Sequence, residues 1–175
     1  MSLLTAILKT TFTNRIKELE ALDGEATVTN TATAKLVTNQ LNEGAVRGFA
    51  LVQDEPQSVA GTATGPTPTD YFVQSVAFCE NVVFARNAAL SDLEILSLET
   101  RVVGQWDMKG LFDIGKATPA FQTIAVETRV RTTGPAEKAA EVARMTHRRC
   151  PIHATLQRAT DLSFTLYVND VETPL

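Results

Sequence analysis

Two cysteine thiols are the residues best suited to redox chemistry in this sequence. Cys79 lies in the apolar stretch VQSVAFCENV, and Cys150 directly precedes Pro151. The thiolate is the nucleophilic form of cysteine, and a second thiol close to it can trap its first oxidation product as a disulfide. Two interpretations are open: a redox pair, or two packing residues, because free cysteine is among the most buried residue types.

The surroundings predicted for the two thiols differ. Pro151 suits the first position of a new helix, which makes Cys150 the N-cap residue, where free backbone N–H groups and the helix dipole favour a thiolate. Cys79 is expected about three turns inside its own helix, where the dipole effect has faded. Burial there would raise the pKa of Cys79. If Cys79 reacts, a cationic group must therefore be brought to it.

Other polar residues near the thiols have ordinary structural explanations. Arg86 follows Cys79 by seven residues on the same helical face, and we expect it to end the apolar stripe rather than contact the thiol. His147 and His153 are expected to be solvated or capping residues. Two cysteines cannot complete a tetrahedral zinc site, and the histidines lie near only one of them in sequence, so no metal site is predicted.

Helical spacing and strand alternation predict the elements that position these residues. Residues 1–22 carry apolar side chains at helical spacing and predict an amphipathic helix. Residues 25–53 predict a two-stranded hairpin with LNEGAVRG as its turn, and the Gly/Pro-rich residues 54–68 predict a loop without regular structure. Thr67 as N-cap and Pro68 open a helix that ends near Ala89. One face of that helix carries Phe72, Val76, Cys79 and Val83.

The second half of the chain predicts three strands and a helix. Period-two alternation is seen around Leu96–Val102, Ile124–Val130 and 164–168, which is typical of strands with one solvated face. The segment PAEKAAEVARMTHRR predicts a helix opened by Pro135. Together these elements predict an α+β domain with helices packed on one face of largely antiparallel sheets.

Composition limits the classes of partner. The chain has 175 residues, which suits one domain, and its net charge is −4 with no basic tract, so nucleic acid is not expected as a partner. No apolar run reaches the ~20 residues that a membrane span needs. No basic residue precedes the first apolar run, so a cleaved signal is not indicated and a cytoplasmic location is expected.

Two motifs resemble those of a known family. The segment GPTPTDYFVQSVAFCENVVFARNAA has a proline at the helix start and a cysteine eleven residues beyond it, and HRRCPIHATL surrounds the second cysteine. Both resemble the OsmC/Ohr family of osmotically inducible and organic hydroperoxide resistance proteins, over residues 25–169. The resemblance implies an OsmC-like α+β fold with antiparallel sheets, a central cysteine-bearing helix and an intertwined homodimer. We therefore divide the chain into an N-terminal helix, 1–22, and an OsmC-like domain, 23–175.

The resemblance also implies an activity. Cys79 would be the peroxidatic thiol and Cys150 the resolving thiol of an antioxidant stress-response enzyme that reduces organic hydroperoxides. A dithiol, such as a lipoylated protein, would regenerate it, without metal or organic cofactor.

Two further site residues are matched less closely. Arg47 is the nearest match to the family's thiolate-stabilising arginine. Asp70 is the nearest acid to the position after the helix-opening proline, where the organic hydroperoxide branch has Glu and this chain has Thr69. An exposed turn residue and a first-turn charge explain Arg47 and Asp70 equally well. The departure leaves open a non-catalytic ligand-binding or redox-sensing protein.

Overall fold

The computed structural model describes residues 2–158, 160, 162–163, 165–169 and 171–173. Four α-helices and seven strands occur in these residues. In chain order they are α1 (Ala6–Glu20), β1 (Ala32–Thr38), β2 (Leu41–Val46), β3 (Phe49–Gln53), α2 (Pro68–Leu90), β4 (Ser97–Trp106), β5 (Phe121–Arg131), α3 (Ala136–Arg149), α4 (Pro151–Leu156), β6 (Leu166–Val168) and β7 (Val171–Thr173). Two 3-10 turns, Gln57–Val59 and Met108–Phe112, interrupt the long connections.

The sheets are antiparallel, as the alternation pattern predicts. The strands pair as β1-β2-β3, β4-β5 and β6-β7. In the β4-β5 pair, Leu98 faces Val130 and Val102 faces Val126, so the half-buried positions of both strands lie on one side. The α+β fold class with antiparallel sheets is confirmed.

Helix α2 forms the core of the domain. Phe84 and Ala88 of α2 are buried with Leu93 and Ile95 and with two residues of α3, Ala139 and Val142. Burial of a side chain the size of Phe84 contributes about 2–3 kcal/mol. Helix α2 also packs on β4 and α1. The cysteine-bearing helix is therefore held on several sides by its own chain.

Two sequence predictions in the first half need correction. The segment LNEGAV is not a turn but strand β2, so residues 32–53 form a three-stranded sheet rather than a hairpin. The turn that the prediction placed there is only Arg47 and Gly48, which both have positive φ, 51° and 83°, as a two-residue hairpin turn requires. The loop 54–68 also contains one regular element, the 3-10 turn Gln57–Val59.

The start of α2 was predicted correctly. Thr67 is its N-cap, Pro68 is its first residue, and the helix ends at Leu90. Thr67 and Asp70 form a capping box: the Asp70 N–H donates to Thr67 Oγ1 at 3.2 Å, and the Thr67 N–H donates to Asp70 Oδ2 at 2.9 Å. These bonds satisfy N–H groups that an isolated helix end leaves without partners.

Asp54 organises the loop that leads into α2. Its buried carboxylate accepts hydrogen bonds from the N–H and Oγ1–H groups of Thr62, at 2.9 and 2.6 Å, and from those of Thr64, at 3.1 and 3.0 Å. The Glu55 N–H adds a bond of 2.8 Å. The Thr62 hydroxyl is the main reason that the pKa of Asp54 lies well below its usual range. The loop therefore folds around one ionised carboxylate.

The C-terminal strand prediction is only partly testable. Strand β6 contains two of the residues on which it rested, Leu166 and Val168, whereas Phe164 lies outside the described residues. A second short strand, β7, pairs with β6 and was not predicted.

Candidate functional site

The two sulfur atoms are in contact. The Cys150 thiol donates to Cys79 Sγ across 2.8 Å, although the residues are 71 positions apart. Cys79 lies inside α2 and is partly exposed, whereas Cys150 lies at the junction of α3 and α4 and is fully buried. The junction exists because Pro151 cannot continue α3, so the chain starts a new helix at that point.

The N-terminus of α4 stabilises the thiolate of Cys79, whereas the sequence predicted that it would stabilise the thiolate of Cys150. Cys150 is the N-cap residue as predicted, but its side chain makes no capping hydrogen bond. The backbone N–H of Ile152 instead favours the Cys79 thiolate and lowers the pKa of Cys79, in opposition to burial. The expectation that Cys150 would take these N–H groups is therefore wrong, because its side chain turns toward Cys79.

Burial controls the ionisation of Cys79. Desolvation, together with the neighbouring Cys150 thiol, raises the pKa of Cys79 to about 11, against the opposing effects of the Ile152 N–H and the Arg86 charge. Removing a sulfur from water disfavours its anion, and two thiols in contact do not both ionise readily. In the single chain, Cys79 is therefore mostly a thiol at neutral pH.

Arg86 is the cation of α2 that acts on Cys79. Its positive charge lowers the pKa of Cys79 in opposition to burial. The guanidinium also lies 4.8 Å from the centroid of the Phe12 ring of α1, a cation–π contact. Arg86 therefore contacts α1 directly, whereas it acts on Cys79 only through its charge, the smallest of the influences on that pKa.

The two other residues proposed from sequence lie apart from this contact. Arg47 occupies the exposed turn between β2 and β3. Asp70 is engaged in the capping box at the start of α2, about 13 Å along the helix axis from Cys79 at 1.5 Å per residue. The single chain brings Cys79 and Cys150 into contact, and it does not place Arg47 or Asp70 beside them.

A buried carboxylate and both histidines of the chain form a second cluster. Glu80 follows Cys79 directly and is fully buried, and neither of its oxygens accepts a hydrogen bond from the described residues. His147 Nε2 lies 3.3 Å from Glu80 Oε1, and His153 Nδ1 lies 3.7 Å from Oε2. An ionised carboxylate removed from water costs on the order of several kcal/mol unless it is compensated. Such a group therefore calls for a positive partner.

Sequence interpretation missed Glu80, although a signal existed. The strictly buried positions of α2 include Val76, Glu80, Val83 and Phe84. Glu80 stands four residues after Val76 and four before Phe84, so it lies in the middle of the core face of the helix. An acidic residue at the centre of an apolar stripe predicts a buried carboxylate that has a functional role or a binding partner.

One cavity lies beside the histidines, and a second lies apart from them near the start of α2. One of about 430 Å³ is lined by His147, His153, Val76 and residues of β5. The other, of about 670 Å³, lies between the loop 54–66, the start of α2 and the Trp106–Phe112 segment, and its walls are largely apolar. Trp106 and Phe112 line this second cavity, whereas Phe121 stacks on Phe72 at 5.1 Å between ring centroids.

The structure defines an α+β protein with two thiols in contact, and comparisons identify its family. The family model described as OsmC-like protein matches residues 61–165. The chain therefore belongs to the OsmC-like protein family. Among curated proteins, none matches the sequence significantly.

Solved structures agree with this fold. An OsmC-like protein from Mycoplasma pneumoniae is 21% identical with a TM-score of 0.65, covering 74% of this chain and 88% of its own. An organic hydroperoxide resistance protein OsmC from Legionella pneumophila is 15% identical with a TM-score of 0.56, covering 76% and 92%. The organic hydroperoxide resistance protein OhrB of Bacillus subtilis is 23% identical with a TM-score of 0.51, covering 74% and 91%. At these identities the likeness concerns the fold.

Within the described residues, no helix has the length and apolar character needed to cross a membrane.

Proposed function

We propose that this protein is a thiol-dependent peroxidase that reduces organic hydroperoxides through Cys79 and Cys150. The observation that carries the proposal is the 2.8 Å contact between the two sulfur atoms. Membership of a family that includes organic hydroperoxide resistance proteins supports the substrate class. The exposure of the thiols supports their roles, since the attacking thiol must meet the peroxide and the resolving thiol need meet only its partner.

The proposed reaction balances without a cofactor. The Cys79 thiolate attacks one peroxide oxygen, the O–O bond breaks, and the alkoxide leaves with a proton as an alcohol. Cys79 is now a sulfenic acid. Cys150 attacks its sulfur, the S–O bond breaks, and water leaves as the disulfide forms. A dithiol reductant, such as a lipoyl group, then returns both thiols by two exchanges and becomes a disulfide itself.

Activation of Cys79 is proposed to require a second chain. Burial holds the pKa of Cys79 at about 11 in one chain, so an additional cation would raise the thiolate fraction. Arg47 is our candidate, because its exposed turn leaves the guanidinium able to approach a partner subunit. Asp70 would act by fixing the start of the helix that carries the thiol.

The surface supports a homodimer. Phe49 of β3 is 66% exposed and Phe78 of α2 is 63% exposed, and further apolar side chains of the first sheet, Leu36, Leu51 and Val52, are also exposed. Exposed apolar groups of this number mark interaction surfaces. We place the protein in the cytoplasm, where two free thiols remain reduced.

A second candidate is a non-catalytic protein that binds an apolar ligand or senses oxidants. The raised pKa of Cys79 and the apolar cavity of about 670 Å³ favour it. Such a protein would not consume peroxide repeatedly, whereas the enzyme would.

Steady-state consumption of cumene hydroperoxide with a lipoyl reductant separates the two candidates. The peroxidase consumes many equivalents per chain, and Cys79→Ser abolishes consumption. A binding or sensing protein consumes at most one equivalent. Hydrogen peroxide serves as the control substrate, and the peroxidase is expected to prefer the organic peroxide.

A further inference from the structure

We propose that Glu80, His147 and His153 form a binding site for one divalent transition-metal ion, with Zn²⁺ as the best match. The three side chains come from three different helices: α2, α3 and α4. One ligand atom from each can be chosen so that all lie within 4.8 Å of one another. The site is separate from the two sulfur atoms and uses groups that the peroxidase reaction leaves unused.

The spacing of the donors suits such an ion. Zinc binds imidazole nitrogen and carboxylate oxygen at about 2.0–2.2 Å, so the donors around a tetrahedral ion lie about 3.4 Å apart. His147 Nε2 lies 3.3 Å from Glu80 Oε1 and His153 Nδ1 lies 3.7 Å from Oε2, so each imidazole faces its own carboxylate oxygen at about this spacing. Ligand atoms chosen one from each residue lie within 4.8 Å of one another, so binding of the ion would draw them closer together. The arrangement supplies three protein ligands and leaves a fourth position for water, as in open zinc sites.

The state of Glu80 points independently to a ligand. Its carboxylate is completely buried, and both oxygens lack hydrogen bonds from the described residues. Both oxygens face imidazole nitrogens rather than a Lys or Arg side chain. A divalent ion bound here would compensate the buried carboxylate and use both imidazoles as ligands. Two imidazoles and one carboxylate are donors that suit zinc and related ions.

The ion has a route to the site. The histidines line the cavity of about 430 Å³, and the His147 side chain is 54% exposed, whereas Glu80 is fully buried. An ion entering from solvent would meet His147 first and then reach the buried carboxylate. Bound there, it would link α3 and α4, which hold Cys150 between them, to α2, which holds Cys79. Zinc would thus stabilise the helix arrangement that keeps the two sulfurs in contact.

A competing explanation is an ion pair, in which one histidine is protonated and alone compensates Glu80. It requires no metal and predicts no specific binding of Zn²⁺. The two explanations therefore differ in stoichiometry and affinity, both of which can be measured.

Titration of the chelator-treated protein with Zn²⁺, followed by calorimetry, tests the proposal. A Cys79→Ser/Cys150→Ser variant is titrated in parallel, because it removes thiol ligands and keeps the test independent of the peroxidase proposal. We expect one Zn²⁺ per chain in both proteins. Glu80→Gln and His153→Ala are each expected to weaken binding by about tenfold or more. The matched control is Glu141→Gln, which changes an exposed acid of α3 and should leave binding unchanged.

A second measurement needs no variant. The chain has two histidines, so the imidazole region of an NMR spectrum contains two ring systems. Both should shift with one equivalent of Zn²⁺, and the thermal midpoint should rise with Zn²⁺ concentration, as for any ligand of the folded state. The proposal is overturned if neither ring shifts and no heat is measured, or if Glu80→Gln and His153→Ala bind Zn²⁺ like wild type. Binding that disappears only in the cysteine variant would also overturn it.

Discussion

Cys150 donates its thiol hydrogen to the Cys79 sulfur across 2.8 Å, and this contact joins α2 to the junction of α3 and α4. The donor is fully buried and the acceptor is partly exposed. An oxidant from solvent would therefore reach Cys79 first, with Cys150 already in position to trap the product. The difference in exposure supports the proposed roles, in which Cys79 attacks the oxidant and Cys150 resolves the product.

In the monomeric protein, the rate of Cys79 alkylation should rise steeply with pH. Because burial raises the pKa of Cys79 to about 11, the thiolate fraction increases about tenfold per pH unit between pH 7 and 10. Iodoacetamide labelling followed by mass spectrometry measures the rate of Cys79 alkylation. Cys150 should react little, because it is buried. Arg86→Gln is expected to slow labelling several-fold at every pH in this range, because it removes a charge that favours the thiolate.

Arg47→Gln is the matched comparison for this charge removal. We expect it to slow labelling only at protein concentrations at which the dimer forms, since its turn lies away from Cys79 in one chain. At concentrations at which the protein is monomeric, a labelling rate that levels off below about pH 8 would show that the thiol is activated within the single chain and contradict the prediction.

Acid should destabilise the protein through Asp54. The folded pKa of Asp54 lies below its unfolded value because Thr62 and neighbouring N–H groups stabilise the carboxylate. Its contribution to stability is present above about pH 4 and is lost as pH falls below that value. Asp54→Asn should be less stable at pH 7, and its stability should depend less on pH between about 5 and 2.

Denaturant unfolding at several pH values measures this effect. Glu55→Gln is the control, because it changes the adjacent acid and keeps the bonds that Asp54 accepts. Identical pH dependence for wild type and Asp54→Asn would show that the loop does not depend on this carboxylate.

Helix α1 should stabilise the domain through Phe12 rather than through its whole apolar stripe. Phe12 lies under the Arg86 guanidinium, whereas Ile7 is 75% exposed. Phe12→Ala should lower the free energy of unfolding by about 1–2 kcal/mol, since it removes apolar contact and a cation–π interaction. Ile7→Ala should change it by less than about 0.5 kcal/mol. Equal effects of Phe12→Ala and Ile7→Ala in chemical denaturation would refute the contact.

Deletion of residues 1–22 tests the domain division that we propose.

The homodimer should depend on the exposed apolar face of the first sheet. Phe49→Glu places a charge on that face and is expected to shift the dimer toward monomer in light scattering after size-exclusion chromatography. Ile114→Glu is a control at an exposed apolar position outside the sheet. A wild-type protein that is monomeric at about 100 µM would contradict the proposed assembly, since stable interfaces hold well below that concentration.

The local elements were predictable from the sequence because local chemistry specifies them. Thr67 and Pro68 give the start of α2, and Pro151 gives the break between α3 and α4, since capping and proline geometry act within a few residues. Strand β2 was missed because LNEGAV carries turn-forming residues, whereas the real turn needs only the positive φ angles of Arg47 and Gly48.

The site was harder to predict because it depends on how distant elements pack. The Cys79–Cys150 pairing followed from family resemblance, and nothing local to either cysteine indicates that the Ile152 N–H would lower the pKa of Cys79. Glu80 and the two histidines come together only when three helices are placed against one another. Sequence periodicity identifies the face of a helix, but it does not identify the group opposite.

The most direct test of the thiol-pair proposal is a count of free thiols before and after one equivalent of cumene hydroperoxide, with peptide mapping of the product. Wild type should lose two thiols per chain and yield an intramolecular Cys79–Cys150 disulfide. Cys150→Ser should stop at a Cys79 sulfenic acid, and Cys79→Ser should lose no thiol. An unchanged thiol count in wild type, or oxidation of Cys150 in the Cys79→Ser variant at the wild-type rate, would contradict the account.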